Sequence, residues 1–143
     1  LLEYLNPTHT TVAISGSPEF MVKAFLADLQ FDEVVGSQFE VINGTYTGNA
    51  TSTNKAAAFE TISKGTGELD VVVGDTIGDL EILEQATRPI AFNPSATLRR
   101  HAIERSWPIV TENKDSIYQL IGSSSGYQTI FERNPAIVLG EAL

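Results

Sequence analysis

Short β-rich apolar runs alternate along most of this chain with stretches whose apolar residues recur every three or four positions, the pattern of strands and amphipathic helices in turn. Thr10-Thr-Val-Ala-Ile14 predicts a strand, stopped by Ser15-Gly-Ser17-Pro18. Ser17 suits the cap of the next helix and Pro18 its first position; Phe20, Met21, Phe25, Leu26 and Leu29 then keep helical spacing to near Gln30. Glu33-Val-Val-Gly36 predicts a short interior strand covered on both faces. Phe39–Asn43 and Tyr46-Thr47 flank Asn43-Gly44, a favoured turn pair, and predict a small antiparallel hairpin.

The second half continues the alternation. Asn54 suits the cap of a helix through Ile62, ended by Gly65 and Gly67. Leu69–Val73 predicts a strand, Gly78–Gln85 a helix and Pro89–Phe92 a further strand. Asn93-Pro94-Ser95 opens a helix to about Ser106, with Leu98, Ala102 and Ile103 inward and Arg99, Arg100 and Arg105 largely solvated. Pro108-Ile-Val110 predicts a final edge strand, Asp115–Ile121 a helix, and Ile137-Val-Leu139 an apolar end. Strands and helices in this order argue for βα units joined into a parallel sheet. No repeat period is present.

Composition narrows the function classes. A chain of 143 residues with 42% apolar residues can bury roughly two thirds of its unfolded surface in one core. Eighteen acidic against nine basic residues give a net charge of −9, which disfavours nucleic acid and anionic membrane as partners. Without Cys there is no disulfide framework and no thiolate zinc site. No apolar run approaches the roughly 20 residues that span a bilayer. The start, Leu1-Leu-Glu-Tyr-Leu-Asn-Pro, has neither an initiating Met nor a signal-like segment; it reads as part of something longer, with a cytoplasmic location expected.

The candidate chemistry centres on Asp70-Val-Val-Val-Gly-Asp75-Thr-Ile-Gly-Asp79. An acid at a strand's carboxyl end and another one helical turn on can face one site, and their hard oxygens suit Mg²⁺ shared with a phosphate. The plainer alternative makes Asp75 a helix cap and Asp79 a solvated first-turn acid. Ser15-Gly16-Ser17 offers a hydroxyl and successive N–H groups to a phosphoryl oxygen, although such turns also carry Ser and Gly for conformational reasons. Lys55 opposes the macrodipole of its helix, which suits either a nearby anion or plain solvent exposure. His9 and His101 have no metal-ligand spacing, and Trp107 reads as helix-end packing.

Taken in order, Ile14-Ser15-Gly-Ser-Pro18, Lys55 and Gly74-Asp75-Thr-Ile-Gly-Asp79-Leu resemble the haloacid dehalogenase-like hydrolases, in particular their phosphoserine phosphatase-like branch. Gly36-Ser-Gln-Phe-Glu, Gly44-Thr-Tyr-Thr-Gly48 and Ala91–Ile109 add local likeness, so that the resemblance covers roughly residues 8 to 112. It implies an α/β fold with a three-layer Rossmann-like core and a mostly parallel sheet, over residues 1–112, with 113–143 as a C-terminal extension. It implies that Ser15 and Gly16 bind the phosphoryl group, that Lys55 neutralises it, and that Asp75 and Asp79 serve Mg²⁺, Asp79 also anchoring its loop. Gly78 stands where the family has Asn or Ser.

The family's Asp-x-Asp motif, which supplies nucleophile and general acid/base, occurs nowhere in the 143 residues. The resemblance therefore implies that its strand, and a substrate-selecting cap, lie N-terminal to this sequence. The expected function is Mg²⁺-dependent hydrolysis of a small phosphomonoester through an aspartyl-phosphate, with the nucleophile supplied by an absent segment and this chain alone inactive. Alternatives are a non-catalytic phosphate- or metal-binding regulatory domain and an inactive structural fragment. Self-association, or a segment that completes the sheet, is the expected answer to the edges a missing strand leaves.

Overall fold

The computed structural model describes residues 7–64, 67–113, 116–121 and 126–132. They fall into two compact units, Leu1–Gly67 and Glu68–Leu143.

The first unit contains β1 (Val12–Pro18), α1 (Glu19–Phe25), β2 (Glu33–Ile42), β3 (Thr45–Thr51) and α2 (Lys55–Ser63). β1 and β2 are parallel, and β2 and β3 form an antiparallel hairpin. Asn43 and Gly44, at φ 51° and 77°, turn the hairpin as the Asn-Gly pair predicts. The strand at Glu33 runs on to Ile42, because antiparallel pairing with β3 takes over where parallel pairing with β1 ends.

Two expectations for α1 are corrected. Pro18, not Ser17, occupies the capping position, and no side chain caps it, because β1 stays extended through Pro18. The helix also stops at Phe25 rather than near Gln30, and Phe20, Met21, Phe25 and Leu29 are exposed. Asn54 does cap α2: its side chain accepts from the Ala57 N–H at 2.8 Å. Lys64, in the left-handed region at φ 52°, closes that helix before Gly67, and Gly65 lies outside the described residues.

The second unit contains β4 (Val71–Gly74), a 3₁₀ turn (Ile77–Asp79), α3 (Leu80–Glu84), β5 (Arg88–Phe92), α4 (Ala96–Glu104), β6 (Ile109–Asn113), β7 (Ser116–Ile121) and β8 (Gly126–Glu132). The sheet order is β4-β5-β6-β7-β8, parallel from β4 to β6 and antiparallel from β6 to β8. Leu83, Ala91, Leu98, Ala102 and Ile109 form its buried cluster, with Val72, Leu80, Trp107 and Leu120 packed around it. Ile103, expected inward, is exposed.

The end of this sheet departs from the sequence expectation. Residues 116–121 form a strand, not a helix, because Ile117, Tyr118 and Ile121 suit a pleated ladder and pairing with β6 overrides a weak helical pattern. The segment beginning at Ile109 is consequently interior, between β5 and β7, rather than an edge. Ile137–Leu139 lies outside the described residues. The architecture is α/β, with parallel Rossmann-like strands extended by antiparallel ones. No helix among the described residues is long and apolar enough to cross a membrane.

Candidate active site

In the second unit, the chain leaves β4 at Gly74 and turns at once into the 3₁₀ segment. Asp79, only 3% exposed, points back at this turn. Its Oδ2 accepts from the backbone N–H of Asp75 and of Thr76, both at 3.0 Å, and from the Thr76 hydroxyl at 3.3 Å. A carboxylate that accepts several N–H and O–H donors stabilises a turn whose backbone would otherwise be unpaired. Asp79 is thus neither solvated nor a simple first-turn acid; it anchors its loop.

Gly74 is the steric partner of that arrangement. A Cβ at position 74 would stand 2.6 Å from the Asp79 Cβ and 2.9 Å from its Cγ, so any other residue would displace the anchoring carboxylate. Gly78 differs: a Cβ there meets nothing nearer than the Thr76 hydroxyl oxygen at 3.6 Å, and a larger residue has room.

Asp75 is held on both sides of its backbone. Its N–H goes to Asp79, and its carbonyl accepts from the Ser95 N–H at 2.7 Å. Ser95 caps α4, and Asn93 two residues earlier, in the left-handed region at φ 44°, accepts on Oδ1 from the Glu112 N–H at 2.8 Å. The result is an exposed carboxylate on a pinned backbone at the carboxyl end of a parallel strand, the edge at which open α/β sheets bind ligands. In sequence Asn93 and Ser95 are helix openers; nothing local signals that Ser95 braces Asp75 or that Asn93 ties to Glu112.

The first unit carries the other candidates. Ile14 pairs with Val35 and Pro18 with Ser37, so Ser15, Gly16 and Ser17 bulge out opposite Gly36 alone. Ser15 is half-buried, and its hydroxyl oxygen accepts from the Ser17 N–H at 3.1 Å. The Gly16 carbonyl accepts from the hydroxyl of Ser37 at 2.7 Å, and that hydroxyl accepts in turn from the Thr53 N–H at 3.2 Å. Thr53 precedes Asn54, the cap of α2, and Lys55 is the helix's half-buried first residue. The structure therefore brings Asp75 and Asp79 together at one strand tip, and ties Ser15 and Gly16 to the approach to Lys55. Ser37, which the sequence offers only as part of the local likeness at Gly36-Ser-Gln-Phe-Glu, is the residue that makes the second link.

Among the described residues, no three His, Cys, Asp or Glu side chains group closely enough to hold a metal by themselves. The donor set at the β4 tip still fits Mg²⁺ as a partial one, since that ion keeps several waters and takes one or two carboxylates together with substrate oxygens. Asp75 is the outward carboxylate of that set.

The family model for haloacid dehalogenase-like hydrolases matches residues 1–84, which include Ser15, Gly16, Lys55, Asp75 and Asp79. The chain belongs to this family. Histidinol-phosphatase of Neisseria meningitidis serogroup C (strain 8013) is 27% identical to this haloacid dehalogenase-like chain over 112 residues, 70% of the chain and 50% of that protein. Phosphoserine phosphatase in its apo form superposes with a TM-score of 0.57 at 25% identity, covering 66% of the chain and 52% of that structure. A protein of unknown function from Bordetella pertussis Tohama I, at 23% identity, shares the fold with a TM-score of 0.63 over 73% of the chain and 52% of its own. The chain spans about half the length of these relatives.

Proposed function

We propose that this chain is the phosphate- and metal-handling part of a phosphomonoester hydrolase similar to phosphoserine phosphatase, working through an aspartyl-phosphate on an Asp that lies outside the 143 residues. The observation that carries this reading is the division of labour at the β4 tip: a buried Asp79 consumes its charge on backbone donors and leaves Asp75 pinned and outward. A purely structural cap has no need of the second, exposed acid.

In this reading an oxygen of the supplied Asp bonds to phosphorus as the ester P–O bond breaks, and the departing alkoxide takes a proton. Water then attacks phosphorus, which releases inorganic phosphate and restores the carboxylate. Ser15 and Gly16 hold a phosphoryl oxygen, and Lys55 offsets negative charge. Asp75, with Asp79 behind it, would hold Mg²⁺, which when bound neutralises the phosphate oxygens. Among the described residues β1 and β4 are both terminal in their sheets, so each offers a backbone edge to a further strand. The nucleophile is assigned to a strand that adds to such an edge, in a longer protein or from a partner.

The test is hydrolysis of p-nitrophenyl phosphate with Mg²⁺. The purified 143-residue chain is expected to give no turnover, and extending it with an N-terminal segment that carries Asp-x-Asp is expected to give turnover that Asp75→Asn abolishes. Turnover by the chain alone, or an extended protein indifferent to Asp75→Asn, overturns the proposal. Phosphate and Mg²⁺ binding without turnover in the extended protein would favour a regulatory domain instead.

A further inference from the structure

From the bulge in β1 we infer that Ser37 is a positioning residue: its hydroxyl shapes the Ser15–Ser17 phosphate loop and couples that loop to the start of the Lys55 helix. The inference rests on the phosphate-site reading of Ser15, Gly16 and Lys55 given above.

Gly36 and Ser37 act as a pair. A Cβ on Gly36 would stand 2.5 Å from the Glu19 Cα and 2.8 Å from the Ser17 carbonyl oxygen, both backbone atoms. Only glycine lets β2 come this close to the far end of the bulge. The Gly36 N–H is then taken by the Glu19 carboxylate at 3.3 Å, while the next residue reaches the middle of the bulge.

Ser37 is 4% exposed, so its hydroxyl has no water to fall back on. A hydroxyl carries one proton and two lone pairs. The proton goes to the Gly16 carbonyl at 2.7 Å, and the oxygen accepts from the Thr53 N–H at 3.2 Å, with the Thr53 hydroxyl at 3.5 Å. The donor direction is fixed by these partners, because a carbonyl can only accept and an N–H can only donate. One side chain thus fixes the Gly16–Ser17 peptide and the Ser52–Thr53 peptide, the second of them just ahead of Asn54 and Lys55. Losing it leaves a carbonyl on one side and an N–H on the other without their partner, which lets loop and helix start drift independently.

The experiment compares wild type, Ser37→Ala and Ser37→Thr in the 143-residue chain, by backbone amide NMR and by titration with inorganic phosphate. The expected result for Ser37→Ala is altered amide shifts and faster exchange at both Ser15–Ser17 and Thr53–Lys55, and phosphate affinity lower by about tenfold. Ser37→Thr, which keeps the hydroxyl, restores both readouts to within about twofold. Should Ser37→Ala fail to fold, Ser37→Cys keeps the volume with a much weaker donor and is expected to show the same two-sided pattern.

Shifts confined to one side, or Thr and Ala variants that behave alike, overturn the inference. If wild type takes up no phosphate although the two-sided pattern holds, the phosphate-site reading falls, and Ser37 is a structural tie without a functional role. If wild type binds phosphate and Ser37→Ala binds it equally well, the site reading stands and the inference about Ser37 falls.

Discussion

The two units keep their shape by different means. In the second, Leu83, Ala91, Leu98, Ala102 and Ile109 are buried together, and the strand tip that presents Asp75 rises directly from that cluster's sheet. In the first, the buried residues among those described are Thr11, Gly36, Ser37 and Ala56, while Phe20, Met21, Phe25, Leu29, Val41, Ile42 and Tyr46 are exposed. Polar ties do the work there: Thr11 to Asp32, Ser37 to Gly16 and Thr53, Glu19 to Gly36 and Gln38. An apolar cluster is non-directional and tolerant of geometry, whereas a polar tie is stabilising only while both partners are in place. The acidic strand tip of the second unit thus stands on a packed platform, and the hydroxyl loop of the first on a set of specific bonds.

The sharpest way to break this contrast is to delete buried volume. Leu98→Ala, at a fully buried position, is expected to cost the second unit about 2–5 kcal/mol in denaturant unfolding. Phe25→Ser, at a side chain 87% exposed, is expected to stay within about 0.5 kcal/mol of wild type. A large loss from Phe25→Ser would show that the first unit has an apolar core after all.

Next in size are changes at the β4 tip. Asp79→Ala strips the acceptor from the Asp75 and Thr76 N–H groups, and is expected to cost about 1–3 kcal/mol. Gly74→Ala drives a methyl against Asp79 and is expected to cost a similar amount, about 1–3 kcal/mol. On the proposed reading of Asp75 as a Mg²⁺ ligand, both variants are also expected to lower Mg²⁺ affinity measured by calorimetry, because the Asp75 backbone loses one of its two holds. Gly78→Asn, where there is room, is expected to leave stability nearly unchanged. Smaller still, Asn54→Ala removes a cap bond of 2.8 Å and is expected to cost about 1 kcal/mol. Ser95→Ala removes a longer one, 3.4 Å, and should cost less.

These differences also explain what could be read from the sequence. Gly74, Asp75 and Asp79 complete their geometry within one turn of chain, so the local string already contains both the anchor and the presented acid. The Asn43-Gly44 turn and the Asn54 cap are local in the same sense, and both were legible. The bulge at Ser15–Ser17 is shaped from across the sheet by Gly36 and Ser37, and no local pattern announces which serine will meet which carbonyl. Likewise β7 is a strand because β6 offers it a partner, and Asn93 matters because Glu112 returns to it. α1 misled most: its apolar spacing is helical, yet spacing alone does not say whether a face is covered.

The mildest test uses acid, since polar ties that depend on a carboxylate must weaken when it is protonated. Three carboxylates of the first unit are held below their ordinary range: Asp32 chiefly by the Thr11 N–H and then its hydroxyl, Glu19 chiefly by Lys23 and then the Gly36 N–H, and Glu40 chiefly by the Thr47 hydroxyl and then Asn49. A folded pKa below the unfolded one means that the folded chain binds fewer protons. The stability these groups contribute is therefore complete above the ordinary values of 3.8 for Asp and 4.5 for Glu, and is lost as pH falls through the lower folded values. All three are solvent-accessible, so the effect is screened and small. Amide NMR during acid titration should show the Thr11 and Gly36 signals moving below that range while Leu98 and Ala102, in a cluster without titratable side chains, hold until global unfolding. Asp32→Asn should flatten the response at Thr11 and leave that at Gly36 intact. If the signals of both units moved together from the outset, the first unit would not be standing on separable polar ties, and the contrast between the two would be lost.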